Sequence, residues 1–137
     1  MCHRYKKLFQ KLTRASVLII LSILCFNHQV LAKNYYVDPS STLSIANGSF
    51  TNPWKTIPQL NAGTTNLMPG DSVMFKKGQV FSGRIIVNSS GSALQPIVYT
   101  AYGIGVMPEL TYTGSDIITI TNKQYIVIDG LKITTSF

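Results

Sequence analysis

The chain has 137 residues, a formal net charge of +7, two Cys and two His. Arg4, Lys6, Lys7, Lys11 and Arg14 precede the first acid, Asp38, and Cys2, His3, Cys25 and His28 all fall within residues 1–32. Residues 33–137 hold seven basic and five acidic side chains, a net of +2, with no thiol and no imidazole. That composition excludes a Cys nucleophile, a Ser-His-Asp triad, a Cys/His zinc site and an intrachain disulfide in that region. A nucleic-acid binder is excluded as well, because no basic stripe interleaved with aromatics remains.

The first segment has the layout of a secretory signal peptide. A basic stretch ends at Arg14, and the apolar run Ala15–Phe26 follows. Asn27-His28-Gln29 breaks that run, and Val30-Leu31-Ala32 supplies the small or modest side chains a signal peptidase reads. The run is shorter than the ~20 apolar residues a spanning helix needs. Cleavage is expected after Ala32, dividing the chain into a leader, 1–32, and an exported domain, 33–137. The expected location is secreted, whether extracellular, periplasmic or at the cell surface, with membrane contact only through the leader.

The exported part reads as β. All ten Gly and all six Pro lie in it, between short runs rich in Val, Ile, Tyr, Phe and Thr. In chain order the expected strands are Tyr35–Val37, Ser72–Phe75, Arg84–Val87, Ile97–Ala101, Ile117–Ile120, Tyr125–Ile128 and Leu131–Thr134. β-branched residues dominate them and suit a pleated surface. One helix is expected within Pro53–Asn61, with Asn52 as its cap and Trp54, Ile57 and Leu60 on one face. Pro58 shortens that helix or delays its start, and an irregular loop packed by Trp54 is the competing reading. Met68-Pro69-Gly70-Asp71 fits a type II turn. Asp129-Gly130 fits either a hairpin or a corner between successive strands of a coil. The close strand spacing in the last third favours a solenoid over a sandwich.

The ordered succession Asn34–Pro39, Gly48–Ile57, Leu67–Gly78, Phe81–Gly83, Ser90-Gly91, Gln95–Gly103 and Tyr125–Thr134 resembles the N-terminal portion of secreted right-handed parallel β-helix proteins of the pectate-lyase-like and chondroitinase-B-like kind. The resemblance spans essentially all of Lys33–Phe137. It implies an all-β fold: an N-terminal cap with a short helix, followed by the first coils of a right-handed parallel β-helix. Coils of roughly twenty or more residues, each with three short strands, are the repeat of such folds. A repeat fold is capped at both ends, so the chain is expected to be a truncated, N-terminal piece of a longer protein. Self-association through the open C-terminal coil follows from the same reading.

The resemblance implies acidic polysaccharide as partner and a lyase or hydrolase as the whole protein. In the uronate lyases of this fold a Lys or Arg base removes a proton α to a carboxylate, whose charge Ca²⁺ or basic groups neutralise. Little of that chemistry is visible here. Asp71 and Asp129 sit beside glycines and read as turn residues. Asp38 precedes Pro39 and reads as a turn or cap residue, Asp116 reads as a solvated strand start, and Glu109 shows no partner. The expectation is therefore no catalytic residue and no metal or cofactor site in this segment, with Ca²⁺ left to the full-length protein. Lys76, Lys77 and Arg84 are the candidate substrate-binding residues, weighed against a solvated strand end. Trp54, Tyr99, Tyr102, Tyr112 and Tyr125 are candidates for stacking on sugars or for packing. Asn88 and Asn122 are candidates for a stacked amide ladder or for ordinary turns. The leading expectation is an inactive fragment of a polysaccharide-acting protein. The alternative is a non-catalytic glycan-binding or adhesin-type β-helix module.

Overall fold

The computed structural model describes residues 31–135. The expected leader lies outside them except for Leu31 and Ala32. Nine strands and one helix follow in the order β1 (Asn34–Val37), α1 (Ile57–Gly63), β2 (Ser72–Lys76), β3 (Val80–Ser82), β4 (Ile85–Val87), β5 (Ile97–Tyr102), β6 (Glu109–Tyr112), β7 (Ile118–Ile120), β8 (Ile126–Ile128) and β9 (Lys132–Thr135). They form three sheets, β1-β2-β5-β8, β3-β6-β9 and β4-β7, and every strand pair is parallel. From β2 onward, successive strands along the chain enter successive sheets. The architecture is a right-handed parallel β-helix with its N-terminal cap.

The register sets the coil length. Ser72 lies opposite Val98, 26 residues on, and Ile97 lies opposite Ile126, 29 residues on. Asp129-Gly130 is a corner, not a hairpin: β8 pairs with β5, β9 pairs with β6, and Gly130 takes φ 66° to turn the chain between them. The Met68–Asp71 turn forms as expected, with Gly70 at φ 91° and the Asp71 N–H donating to the Met68 carbonyl over 3.0 Å.

Strand alternation sends Val73, Phe75, Ile97, Tyr99, Phe81, Leu110, Ile85 and Val87 into one core. Along the rows, exposure rises toward the last coil: Phe81, Leu110 and Ile133 are 2%, 0% and 52% exposed. The N-terminal end of the core is closed by Val37, Trp54, Ile57, Leu60 and Leu67.

The helix differs from its expected span. It starts at Ile57, and its cap is Thr56, whose hydroxyl accepts the Gln59 N–H, in place of Asn52. Pro58 occupies the first turn, where a missing N–H costs nothing. Trp54 therefore precedes the helix, bridging in parallel to Val37. Two strands escaped the sequence reading, β3 and β6. No helix among the described residues is long and apolar enough to cross a membrane.

Candidate functional site

Among the described residues the outer edge of β1 has no strand beside it, and a loop closes it. The Tyr36 N–H donates to the Gly48 carbonyl (2.8 Å), the Trp54 N–H to the Tyr36 carbonyl (2.9 Å), and the Asp38 N–H to the Trp54 carbonyl (2.8 Å). This pairing satisfies an edge that would otherwise template association. It also carries Phe50 to the outside of the first sheet.

Alternation places Tyr35 and Val37 against the core and Tyr36 on the outer face. In the parallel register Tyr36 lies beside Met74, which lies beside Thr100, and Lys76 lies beside Tyr102. Three rings from separate segments meet there. Tyr36 is edge-on to Phe50 (centroids 5.1 Å, planes 77° apart) and to Tyr102 (5.1 Å, 82°), and Phe50 lies 6.4 Å from Tyr102. Edge-to-face contact matches positive ring edges with negative ring faces. Phe50 is 68% exposed, so its ring is open to solvent beside Tyr36 and Tyr102.

An ion pair borders the rings. Lys76 Nζ donates to Asp38 Oδ2 over 2.7 Å and to Ser40 Oγ over 3.1 Å. Asp38 Oδ1 accepts the Ser40 N–H (2.9 Å) and hydroxyl (2.6 Å). Burial by itself would raise the Asp38 carboxyl. The hydrogen bonds from Lys76 and Ser40, with the Lys76 charge, outweigh burial and hold it below the usual range. Burial, the Asp38 charge and Tyr36 push the Tyr102 phenol up to about 12. The face therefore offers apolar ring surface, neutral hydroxyl groups and a charge-neutral rim.

A second feature lies on the inner side of β1. Tyr35 stacks on Trp54, and beside them is a cleft of about 440 Å³ that also touches Asn47, Gln59 and Gly63. Its walls are structural. Trp54 is 4% exposed, and Gln59 Oε1 accepts the Lys55 N–H over 2.7 Å. We assign this cleft to cap packing.

The three basic candidates do not act as one cluster. Lys76 joins the aromatic face through Asp38. Lys77 lies in the turn after β2, where its N–H donates to the Tyr102 carbonyl. Arg84 lies before β4, with its guanidinium 5.3 Å from the Tyr112 ring centroid and Nη2 3.2 Å from the Tyr112 hydroxyl. Of the stacking candidates, Tyr102 belongs to the face, whereas Trp54 and Tyr99 are buried. Tyr36 and Phe50 were missed. Their signals were present: Tyr36 alternates with core-facing Tyr35 and Val37, and Phe50 stands alone in the polar loop Asn47–Asn52.

Asp38, Asp71 and Glu109 are engaged in structure. Asp71 is buried and accepts main-chain N–H groups from Lys33 (2.7 Å) and Met68 (2.8 Å). Glu109, expected without a partner, pairs with Lys132 at 3.1 Å across β6 and β9. A hydrogen bond from Thr134, then the hydrogen bond and charge of Lys132, lower its carboxyl. Asn88 gives its amide to the Asn61 carbonyl (3.3 Å), and the β4–β7 pairing ends before it, at Val87 and Ile120. Among the described residues no three His, Cys, Asp or Glu side chains gather as a metal site would require.

No family profile matches the chain, and no curated protein matches it in sequence. Its fold is similar to that of the GH136 lacto-N-biosidase from Eubacterium ramulus, solved both as the native protein and as a selenomethionine derivative. In each case the identity is 23%, the TM-score 0.64, and the match covers 76% of this chain but only 20% of that chain. The chain thus spans about a fifth of the length of the enzyme it resembles in fold.

Proposed function

We propose that residues 33–137 are the cap and first coils of an exported β-helix protein that binds or acts on polysaccharide. In this reading sugar contacts fall on the face built by Tyr36, Phe50 and Tyr102. The observation that carries it is the convergence of three partly exposed rings from separate segments on the outer surface of the first sheet. Aromatic side chains present apolar surface to the C–H face of a sugar while phenol and amino groups reach its hydroxyls. The similarity to a lacto-N-biosidase supports a carbohydrate partner.

Charge bears on the kind of sugar. Asp38 neutralises Lys76, and Arg84 lies on Tyr112, away from the ring trio. This favours neutral sugar units over capture of a polyanion, the partner class implied by the pectate-lyase-like resemblance. Catalysis is not assigned to this segment, because Asp38, Asp71 and Glu109 are each held by structural partners. The same observation favours a non-catalytic binding module as the second reading. A leader at 1–32 with cleavage after Ala32, and contact between copies through the outer edges of β8 and β9, belong to the proposal as well.

The test is equilibrium binding to a panel of neutral lacto-type oligosaccharides alongside polygalacturonate, alginate and chondroitin. Wild type is expected to bind a neutral member, with Phe50→Ala and Tyr102→Ala each weakening binding about tenfold, the equivalent of ~1.4 kcal/mol. Binding that survives both substitutions unchanged would overturn the assignment of the face. Growth of ultraviolet absorbance from unsaturated product would place lyase chemistry on this segment after all.

A further inference from the structure

Asp71 is a carboxylate only 2% exposed. It starts β2's approach to the core, one register step before Ser72, in the row that continues through Ile97 and Ile126. Its two oxygens accept hydrogen bonds from two main-chain groups: Lys33 N–H on Oδ1 at 2.7 Å and Met68 N–H on Oδ2 at 2.8 Å. Among the described residues no side-chain cation pairs with it; the ion pairs there are Asp38–Lys76 and Glu109–Lys132. Buried carboxylates ordinarily have a cation, because desolvating an unpaired charge is costly.

The donor to Oδ1 is the nitrogen of the residue that follows the expected cleavage site. Leu31, two residues before that nitrogen, is 87% exposed, and Ala32 is exposed too. Hydrolysis of the Ala32–Lys33 peptide adds one water across that bond. The carboxylate goes to Ala32 and an α-amino group, protonated at neutral pH, goes to Lys33. The new group stays where the amide nitrogen was, because the Ser72 N–H holds the Lys33 carbonyl at 2.8 Å.

We infer that Asp71 is the receptor for the α-ammonium of Lys33 created by leader removal, so that processing converts a neutral-donor hydrogen bond into a buried ion pair that locks β1 to β2. The inference rests on the reading of 1–32 as a cleaved leader. Its consequence is a cap that reaches full stability only after processing. A terminus one residue earlier leaves the Lys33 nitrogen at Oδ1 a neutral amide, the same donor as before processing.

Charged neighbours are few. The Lys33 ammonium at the end of its own side chain lies 5.9 Å from the Tyr35 ring centroid. Asn66–Gly70 and Ser92–Val98, which flank Asp71, contain no titratable side chain. Asp38 and Lys76 pair with each other at the opposite end of the β1–β2 ladder. An α-amino group titrates near 8 when free. Pairing with a carboxylate raises that value, so the added stability is present below pH ~8 and is lost as pH rises through the raised value.

The experiment first exports the full chain and reads the mature N-terminus by intact mass. A terminus other than Lys33 overturns the leader reading and the inference with it. With Lys33 confirmed, thermal melting is compared for that protein, for a version retaining Ala32 as its first residue, and for Asp71→Asn in each. The expected result is a Tm several degrees lower for the Ala32 version, and a much smaller effect of Asp71→Asn in it than in the Lys33 version. The difference between the two termini should shrink above pH ~9. Equal Tm values for the two termini with intact Asp71 would show that cleavage is correct and the pairing is absent. That comparison stands even if Asp71→Asn fails to fold.

Discussion

The ring of Tyr35 lies parallel to that of Trp54, with centroids 5.4 Å apart and 4° between planes. This contact joins the first strand to the segment entering the helix and closes the N-terminal end of the core. A Cβ on Gly48, which has φ 80°, would approach Trp54 Cζ2 to 2.6 Å, and a Cβ on Gly63 would also collide with the indole. Both glycines are therefore part of the tryptophan's seat.

Trp54→Ala should cost about 3–5 kcal/mol, the range for emptying a buried aromatic site. Gly48→Ala should cost roughly 1–3 kcal/mol through its left-handed backbone and the clash together. Chemical denaturation of the two variants measures both. A Gly48→Ala protein as stable as wild type would refute the seating of Trp54.

The Tyr99 hydroxyl is buried without a hydrogen-bond partner among the described residues. Tyr99→Phe removes that polar atom and keeps the ring, so stability should rise by about 1 kcal/mol. Burial pushes the Tyr99 phenol from 10 up to about 12. Because the folded value is raised, ionisation leaves stability unchanged below pH 10 and lowers it as pH climbs from 10 to about 12. Melting curves across that window should fall less steeply for Tyr99→Phe than for wild type.

The Asp38 carboxyl is held below its ordinary value. Its contribution is present above pH ~4 and lost as pH falls through the lowered value. Lys76→Met removes the partner and brings the folded carboxyl back toward its unfolded value, so stability should drop near neutral pH and depend less on pH below ~4. Asp38→Asn should flatten the acid limb as well. Identical acid titrations of wild type and Lys76→Met would remove the ion pair from the account.

Among the described residues the outer edges of β8 and β9 have no strand beside them, and Val127, Ile128 and Ile133 are exposed. Open edges with apolar side chains template pairing. Sedimentation should show concentration-dependent association, and Ile128→Lys should reduce it. A monomer at all concentrations would count against this edge as a contact between copies.

Much of the coil pattern was legible in the sequence. Ser72–Phe75, Ile97–Ala101 and Tyr125–Ile128 are apolar runs long enough to read, and they proved to be successive rungs of one sheet. β3 and β6 were not legible. Val80-Phe81-Ser82 holds one buried residue, and Glu109-Leu110-Thr111-Tyr112 holds one fully buried residue among polar ones. Their strand character comes from parallel pairing with neighbours on adjacent coils, which no local pattern encodes. The helix boundary was misplaced because Asn52-Pro53 carries the same cap-and-proline signal as Thr56-Ile57-Pro58. The candidate face was half legible. Lys76 and Tyr102 were singled out, but their link to Tyr36 and Phe50 depends on parallel register and on a loop closing the β1 edge. The Asp71–Lys33 contact spans 38 residues and leaves no trace in local sequence.

The central claim is that Tyr36, Phe50 and Tyr102 form a sugar-contacting face. Two-dimensional NMR of the isotopically labelled protein, titrated with the oligosaccharide that binds best, tests it most directly. Saturating shifts confined to Tyr36, Phe50, Tyr102 and the adjoining Asp38–Lys76 pair, with Arg84 and Tyr112 unmoved, are the predicted result. Shifts centred on Arg84 and Tyr112, or none on the three rings at saturation, would contradict it.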